Sequence, residues 1–146
     1  MVHVSNRELM PVALATNRPP AHVLVIEDDQ DMRILLGMFL ELHGYQVAEA
    51  SDGDEGLRTL RAVRLRTPGA PCIVILDLMM PKVRTDGRQF RTAQRADAVI
   101  ADVPIVVVSG VGDVQRLTTG LDAVAVLRKP VDFDRLLQIV EEQCVR

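Results

Sequence analysis

Short apolar runs alternate with helical patterns along most of the chain. The clearest run is Cys72–Leu76, which leads directly into Asp77 and is bounded by Pro71 and Pro81. A short run rich in β-branched residues between such breakers predicts a buried strand of a parallel sheet. Other apolar runs, with a weaker pattern at 45–50, predict four more strands, at 23–26, 45–50, 105–108 and 123–127.

Apolar residues at helical spacing fill the stretches between these strands. We predict one helix that Asp29 or Asp31 caps and Gly44 ends, and others at about 51–65, 88–98, 113–120 and 132–144. The predicted core-facing residues are Met32, Leu35, Leu36, Phe39 and Leu42 in the first helix, Leu57, Leu60 and either Val63 or Leu65 in the second, Phe90 and Ala93 in the third, and Phe133, Leu136, Leu137, Val140 and Cys144 in the last. Because strand and helix alternate, we expect an α/β fold with a parallel sheet, helices on both faces and right-handed crossovers.

Two stretches fall outside this pattern. Residues 1–21 contain Pro11, Pro19 and Pro20 and no clear periodicity, so we predict a flexible N-terminal tail and one domain over residues 22–146. The alternative is an arm that docks on a partner or on a second copy of the chain. Four arginines recur at helical spacing before and within the third helix, namely Arg84, Arg88, Arg91 and Arg95. This stripe predicts a solvated face or, alternatively, a docking surface for an acidic partner.

Composition narrows the class of protein. The net charge of −3, the 3% aromatic content and the absence of Trp argue against nucleic-acid binding. No apolar run approaches the roughly 20 residues that a membrane helix needs. The two cysteines, Cys72 and Cys144, form no CxxC motif, which predicts reduced thiols in a cytoplasmic protein.

Polar side chains follow four of the predicted strands, namely Glu27, Asp28 and Asp29 after the first, Asp77, Ser109 and Lys129. The carboxyl ends of parallel strands share one edge, where ligands of open α/β sheets bind. Neighbouring carboxylates repel unless a cation joins them, and oxygen ligands without His or Cys favour Mg²⁺. Mg²⁺ beside an ammonium group and a hydroxyl group is suited to binding a phosphoryl group, and an aspartate can accept such a group.

Each of these residues also has a simpler explanation. An acidic pair before a helix commonly caps it and interacts with its dipole, a serine before glycine commonly lies in a turn, and a lysine is usually solvated. Asp77 is the hardest to explain in this way, because a charge at the end of a fully apolar run needs a partner.

The chain from Val23 to Val145 resembles the receiver domain of bacterial two-component response regulators, in its stand-alone form. The matching segments are VLVIEDD at 23–29, LDLMMP at 76–81, VVVSG at 106–110 and Lys129-Pro130. The resemblance implies a doubly wound, flavodoxin-like sheet of five parallel strands in the order 2-1-3-4-5.

The resemblance also implies a role for each matching position. Asp77 corresponds to the phosphoacceptor, and Glu27, Asp28, Asp77 and the backbone carbonyl of Met79 correspond to the Mg²⁺ ligands. Ser109 and Lys129 correspond to the hydroxyl and ammonium groups that contact the phosphoryl group. Asp29 then lies at the cap of the first helix, and the Lys129–Pro130 peptide bond is commonly cis in this family.

The function that the resemblance implies is Mg²⁺-dependent phosphorylation of Asp77 by a histidine kinase or a histidine phosphotransfer protein. Such a receiver hydrolyses its own aspartyl phosphate and is not an enzyme for other substrates. Because no helix-turn-helix follows the last helix, we expect no direct DNA binding. Output would then pass through a separate downstream protein, through a homodimer or by onward phosphoryl transfer.

The chain departs from the family pattern at three places. Asp86-Gly87 lie two residues later after Asp77 than is usual, so the loop over residues 82–85 is longer. Val126 replaces the usual Tyr or Phe, and the stretch from Ser109 to Lys129 is about two residues short, so we expect signalling to use rearrangement of residues 110–121. Met79 and Val111 cannot orient a water molecule by hydrogen bonding, which predicts slow self-dephosphorylation.

Two other functions remain open. A degenerate receiver would act as a phosphorylation-independent interaction module, which the missing aromatic residue and the longer loop favour. A phosphatase with an aspartate nucleophile would carry a second aspartate two residues after Asp77, where this chain has Met79.

Overall fold

The computed structural model describes residues 20–81, 83–110, 116 and 118–144. Within them, five parallel strands form one sheet in the order β2-β1-β3-β4-β5. The strands are β1 (His22–Ile26), β2 (Gln46–Ala50), β3 (Ile73–Asp77), β4 (Ile105–Ser109) and β5 (Ala125–Arg128). The predicted doubly wound sheet of order 2-1-3-4-5 is therefore confirmed.

Helices cover both faces of this sheet. In the described part of the chain they are α1 (Gln30–Leu42), α2 (Gly53–Arg66), α3 (Gly87–Arg95) and α4 (Phe133–Cys144). One buried core contains Leu24, Leu60 and Phe90, on the face that α2 and α3 cover. The other core contains Val25, Leu36 and Leu136, with Tyr45 and both cysteines packed against it, on the face that α1 and α4 cover. Successive residues of β1 point to opposite faces, which is why Leu24 and Val25 belong to different cores.

Carboxylate and carboxamide side chains fix where the helices begin. Asp29 accepts hydrogen bonds from the backbone N–H groups of Asp31 and Met32, and so caps α1. The other caps are Asp52 on α2, Asp86 with Gln89 as a capping box on α3, and Asp132 on α4. The expected capping roles of Asp29 and Asp132 are confirmed.

The buried faces of three helices differ from the predicted ones by one or two residues. Leu35 and Leu42 of α1 are 50% and 83% exposed. Helix α1 instead turns Gly37 towards β2, where a Cβ atom would lie 2.8 Å from the carboxylate of Glu49. In the same way Ile139 rather than Leu137 is buried in α4, Gln94 rather than Ala93 in α3, and of the two alternatives in α2 it is Val63 that is buried.

Arg91 is buried, so the predicted solvated stripe is wrong at this position. Its side chain is 6% exposed, and its guanidinium group donates hydrogen bonds to the carbonyl oxygens of Leu121 (2.9 Å) and Asp122 (3.2 Å) and to the side chain of Gln94 (2.8 Å). Gln94 in turn donates to the carbonyl oxygens of Ile100 (2.9 Å) and Val103 (3.0 Å). These carbonyl groups precede β4 and β5 and need donors because they are shielded from water.

The other described arginines of the stripe are exposed. Arg88 and Arg95 donate hydrogen bonds to the carbonyl oxygens of Thr119 (3.4 Å) and Gly120 (3.0 Å), and Arg84 is exposed in the loop before α3. Helix α3 therefore holds the chain that leads into β5 through side chain to backbone hydrogen bonds. The alternative of an acidic docking surface stays a prediction.

Cys72 and Cys144 form a disulfide bond, which contradicts the prediction of reduced thiols. Their Cα atoms lie 5.3 Å apart although 72 residues separate them in sequence. Cys72 directly precedes β3 and Cys144 ends α4, and the doubly wound topology brings these two points to the same edge of the sheet. Sequence separation and the lack of a CxxC motif carried no information about this proximity.

Some predictions fall outside the described residues. They concern the tail up to residue 19, Lys82 in the loop before α3, Val111, and most of the helix expected at 113–120, of which Arg116 and 118–120 alone are described. Among the helices that the structure describes, none has the length and apolar character to cross a membrane.

Candidate functional site

The polar residues predicted to meet at the carboxyl edge of the sheet do lie together there. Glu27 follows β1, Asp77 is the last residue of β3, Ser109 is the last residue of β4, and Lys129 follows β5. The parallel register aligns Asp77 with Val108, one residue before Ser109. The backbone N–H of Lys129 donates a hydrogen bond to the carbonyl oxygen of Ser109 (2.9 Å), which places these two residues side by side.

Three carboxylates form the centre of the site. Glu27, Asp28 and Asp77 each contribute an oxygen atom, and these atoms lie within 4.8 Å of one another. Glu27 and Asp77 are 1% and 3% exposed, whereas Asp28 is half-buried. Their mutual repulsion at this separation is unfavourable unless cations offset it.

Lys129 is the cationic side chain next to these acids. Its Nζ atom lies 3.0 Å from Oε1 of Glu27 and 3.5 Å from Oδ2 of Asp77. Burial alone would lower the pKa of Lys129, but the carboxylates of Glu27 and Asp77 outweigh burial and raise it. The ammonium group therefore stays charged, and in this state it lies closer to Glu27 than to Asp77.

Asp77 is the most perturbed acid of the site. Burial, then the nearby carboxyl group of Glu27 through hydrogen bonding and charge, raises the pKa of Asp77 to about 8, although Lys129 acts in the opposite direction. Oδ1 of Asp77 accepts a hydrogen bond from the backbone N–H of Met79 (3.3 Å), whereas Oδ2 has no hydrogen-bond donor among the described residues. Burial and the proximity of Glu27 also raise the pKa of Asp28.

This group of atoms fits a hard divalent cation. All three side chains offer oxygen ligands, and the set carries excess negative charge. The buried Oδ2 of Asp77 forms a 3.5 Å ion pair with Nζ of Lys129 but accepts no hydrogen bond from the described residues. Oxygen ligands with spare negative charge are the ligands that Mg²⁺ prefers. The side chain of Met79 is 42% exposed, and the metal-binding role of its backbone carbonyl stays a prediction.

Ser109 and Val126 lie in β4 and β5, the two strands that follow β3 in the sheet. Ser109 is fully buried at the end of β4. Val126 lies in β5 and is 36% exposed, so the position that usually carries an aromatic ring in receivers holds a small, partly exposed side chain. The Lys129–Pro130 peptide bond is cis, as the resemblance implied.

Residues without an assigned role also support the site. Arg33, in the first turns of α1, donates a hydrogen bond from Nη1 to the carbonyl oxygen of Glu27 (2.8 Å) and pairs through Nε with Glu49 (3.3 Å). Gly87 lies so close to β3 that a Cβ atom would be 2.5 Å from the carbonyl oxygen of Asp77. The sequence signal for this close approach was a glycine just after the longer loop. No sequence signal pointed to the supporting role of Arg33.

The longer loop before α3 is docked on the first turn of α2. The backbone N–H of Gly53 donates to the carbonyl oxygen of Thr85 (2.8 Å), and Oγ1 of Thr85 donates to the carboxylate of Asp54 (2.8 Å). A Cβ atom on Gly53 would be 2.5 Å from the side chain of Thr85, so the contact depends on this glycine. The described part of the longer loop is therefore packed against α2, and α3 still follows it directly.

Comparison with known proteins identifies the family. Residues 23–141 match the response regulator receiver domain, and the chain belongs to this family. Receiver domains are signalling switches of two-component systems rather than enzymes that act on other substrates.

Individual relatives agree with this assignment. The chain is 36% identical over 117 residues to the DNA-binding dual master transcriptional regulator RpaA of Synechocystis, which covers 79% of this chain and 45% of RpaA. It is 36% identical over 120 residues to the response regulator MprA of Mycolicibacterium vanbaalenii, covering 81% of this chain and 48% of MprA. The crystal structure of a response regulator receiver protein from Pseudomonas putida is 28% identical, with a TM-score of 0.71 over 86% of this chain and 98% of that one.

These relatives correct the prediction that the protein does not bind DNA. RpaA is named as a DNA-binding regulator, and the chain spans less than half the length of RpaA and MprA. The prediction relied on the absence of a helix-turn-helix after α4, but this chain corresponds only to the receiver part of such proteins. The expected separate downstream protein relied on the same argument and loses its support with it.

Proposed function

We propose that the chain is a phosphoryl-accepting switch in which Asp77 is phosphorylated in a Mg²⁺-dependent reaction. The observation that carries this proposal is the position of Asp77, which is buried at the end of β3 beside Lys129, Glu27 and Asp28, with one carboxylate oxygen that has no described donor. The family supports a histidine kinase or a histidine phosphotransfer protein as the donor, and a cytoplasmic location.

In this proposal Asp77 attacks the phosphorus atom of a phosphohistidine, so that the P–N bond breaks and an acyl phosphate forms. Glu27, Asp28 and Asp77 would hold Mg²⁺, which when bound neutralises negative charge on the transferring group. Lys129 would exchange its ion pairs with Glu27 and Asp77 for a contact with a phosphoryl oxygen. Ser109, on the neighbouring strand, would donate its hydroxyl proton to another phosphoryl oxygen.

The test is the intact mass of the protein after incubation with Mg²⁺ and a small acyl phosphate donor. We expect one phosphoryl adduct on the natural protein and none on Asp77→Asn. Asp102→Asn is a matched control, because Asp102 is an exposed acid that precedes β4 at the opposite edge of the sheet, and this variant should keep the adduct. An adduct that persists in Asp77→Asn would exclude Asp77 as the acceptor.

A phosphorylation-independent interaction module is the second candidate. Val126 supports this candidate, because a partly exposed valine cannot move between a buried and an exposed position as an aromatic ring can. Failure of the natural protein to form an adduct, together with failure to bind Mg²⁺ in calorimetry, would favour this candidate over the switch.

A slow loss of the phosphoryl group is part of the proposed function. Met79 is 42% exposed two residues after Asp77, and its thioether cannot position a water molecule as a hydrogen-bonding side chain would. We expect Met79→Asn to shorten the lifetime of the adduct at constant Mg²⁺ concentration. An unchanged lifetime would contradict this role of Met79.

A further inference from the structure

The disulfide bond joins two elements that also lead to the candidate phosphorylation site. Cys72 directly precedes β3, which ends at Asp77, and Cys144 ends α4, which begins four residues after Lys129. The strand places the disulfide about 17 Å from Asp77, at about 3.3 Å per residue. The bond therefore fixes the far end of both elements without contact with the acidic site.

A cavity gives access to this bond. It has a volume of about 510 Å³ and lies at the amino edge of the sheet, where its lining includes Cys72, Cys144, His22, Arg64, Asp102 and Gln143. This volume lies within the range of sites that accept small molecules. Both cysteines are half-buried and line this cavity, so their side chains border space that a small molecule can occupy.

The same place also accommodates the reduced form. Sγ of Cys72 lies 3.2 Å from the carbonyl oxygen of His22. A disulfide sulfur has no proton to donate, but the thiol of reduced Cys72 would find a hydrogen-bond acceptor in this oxygen. Opening of the bond would therefore not leave a half-buried thiol without a partner, which favours reversible rather than permanent closure.

We propose that Cys72 and Cys144 form a reversible thiol–disulfide site, which a low-molecular-weight thiol opens through the cavity, and that this bond controls how firmly the last turn of α4 is attached to β3. In thiol-rich compartments disulfides are rare, and those present are commonly transient or regulatory. The inference does not depend on phosphorylation of Asp77.

The chemistry is two successive thiol–disulfide exchanges. A thiolate attacks one cysteine sulfur, the Cys72–Cys144 bond breaks, a mixed disulfide forms, and the other cysteine leaves as a thiolate and takes up a proton. A second thiolate attacks the mixed disulfide and releases the remaining cysteine. The protein gains two electrons and two protons, and two small thiols become one small disulfide. Closure is the reverse reaction, with that small disulfide as oxidant.

The first experiment follows this equilibrium in the folded chain. The protein is incubated with reduced and oxidised glutathione at a series of ratios and without denaturant, free thiols are alkylated, and the intact mass is measured. We expect a reversible change between no alkylated cysteine and two. Two free thiols in excess oxidised glutathione would overturn the proposal, and so would a bond that opens only in denaturant.

The second experiment follows attachment of α4 by hydrogen exchange. Reduction should accelerate exchange of the amides in the last turn of α4 at least about tenfold through local opening, whereas amides of β1 and β3 should lose only the protection that the lower global stability removes. Cys72→Ser and Cys144→Ser are matched controls that keep one thiol and cannot close the bond, so both should exchange like the reduced natural protein at every glutathione ratio. Equal exchange in the oxidised and reduced natural protein would show that the bond does not control α4.

Discussion

The two edges of the sheet solve opposite physical problems. At the amino edge, the disulfide joins β3 to α4, and Arg91 and Gln94 provide hydrogen-bond donors to buried carbonyl groups. At the carboxyl edge, three carboxylates crowd together and an oxygen of Asp77 has no described donor. One edge contributes stability, and the other retains unfavourable charge.

This difference shows how a small domain can maintain a strained acidic site. Buried like charges reduce the free energy of unfolding unless a ligand binds them, so the remainder of the domain must supply a compensating margin. The described amino edge supplies part of that margin through satisfied polar groups and a covalent bond. Removal of support from the amino edge should therefore destabilise the protein, whereas removal of charge from the carboxyl edge should stabilise it.

The largest expected effect is loss of the disulfide. Cys144→Ser, compared with the oxidised natural protein, should lower the free energy of unfolding by about 2–4 kcal/mol, because the bond restricts the unfolded chain over a long loop. Urea unfolding under oxidising conditions measures this difference. Under reducing conditions the two proteins should become nearly equal in stability, and a difference that persists there would assign the effect to packing of the side chain.

The next effect is at Arg91. Arg91→Met should lower the free energy of unfolding by about 1–3 kcal/mol, because the carbonyl groups of Leu121 and Asp122 lose a buried donor. Arg88→Met is the matched control, since Arg88 lies on the same helix but is exposed and its hydrogen bond to Thr119 is long (3.4 Å), so its loss should cost less than the loss of Arg91. Equal effects of the two substitutions in urea unfolding would contradict the buried role of Arg91.

Asp77→Asn should have the opposite sign. The pKa of Asp77 is raised to about 8 in the folded protein from the 3.8 that is ordinary for an aspartate, so between these two pH values the folded state binds a proton that the unfolded state does not. The free energy of unfolding of the natural protein, without divalent cations, should therefore fall as pH rises through this range.

The asparagine side chain does not titrate, so Asp77→Asn should be stabilising and its advantage should grow from pH 5 towards pH 8. Thermal unfolding in a chelating buffer at several pH values measures this trend. Asp102→Asn keeps Asp77, so its stability should fall with pH as that of the natural protein does. A natural protein whose stability rose over the same pH range would refute the idea that the carboxyl edge is destabilised by its acids.

The smallest effect concerns the loop that docks on α2. Thr85→Val removes the hydrogen bond to Asp54 but retains the shape of the side chain, and should lower the free energy of unfolding by about 1 kcal/mol. Hydrogen exchange should report faster opening of the loop, and β3 should lose no more protection than the fall in global stability accounts for. No change in either quantity would show that backbone contact between Gly53 and Thr85 holds the loop without this side chain.

The sequence was sufficient where structure depends on local pattern. The apolar run before Asp77 predicted β3, and the acidic residues before the helices predicted caps such as those by Asp29 and Asp132. The meeting of Asp77, Ser109 and Lys129 followed from a general property of parallel sheets, that their carboxyl ends share an edge.

The sequence was insufficient where structure depends on distant groups. Arg91 is buried because carbonyl groups about 30 residues later require donors, and no local pattern reveals that need. Cys72 and Cys144 meet across 72 residues for the same reason. Lys129 lies closer to Glu27 (3.0 Å) than to Asp77 (3.5 Å), and spacing along the chain cannot resolve such a difference between side-chain distances.

Tyr45 provides the protein with a selective optical probe. It is the single tyrosine in a chain without tryptophan. It packs against the core that includes both cysteines, and burial followed by the charge of Glu141 on α4 raises its pKa. Intrinsic tyrosine fluorescence and phenol absorbance should therefore report on how α4 packs against the sheet. Detection of phosphorylation at the opposite edge by fluorescence would need an introduced fluorophore.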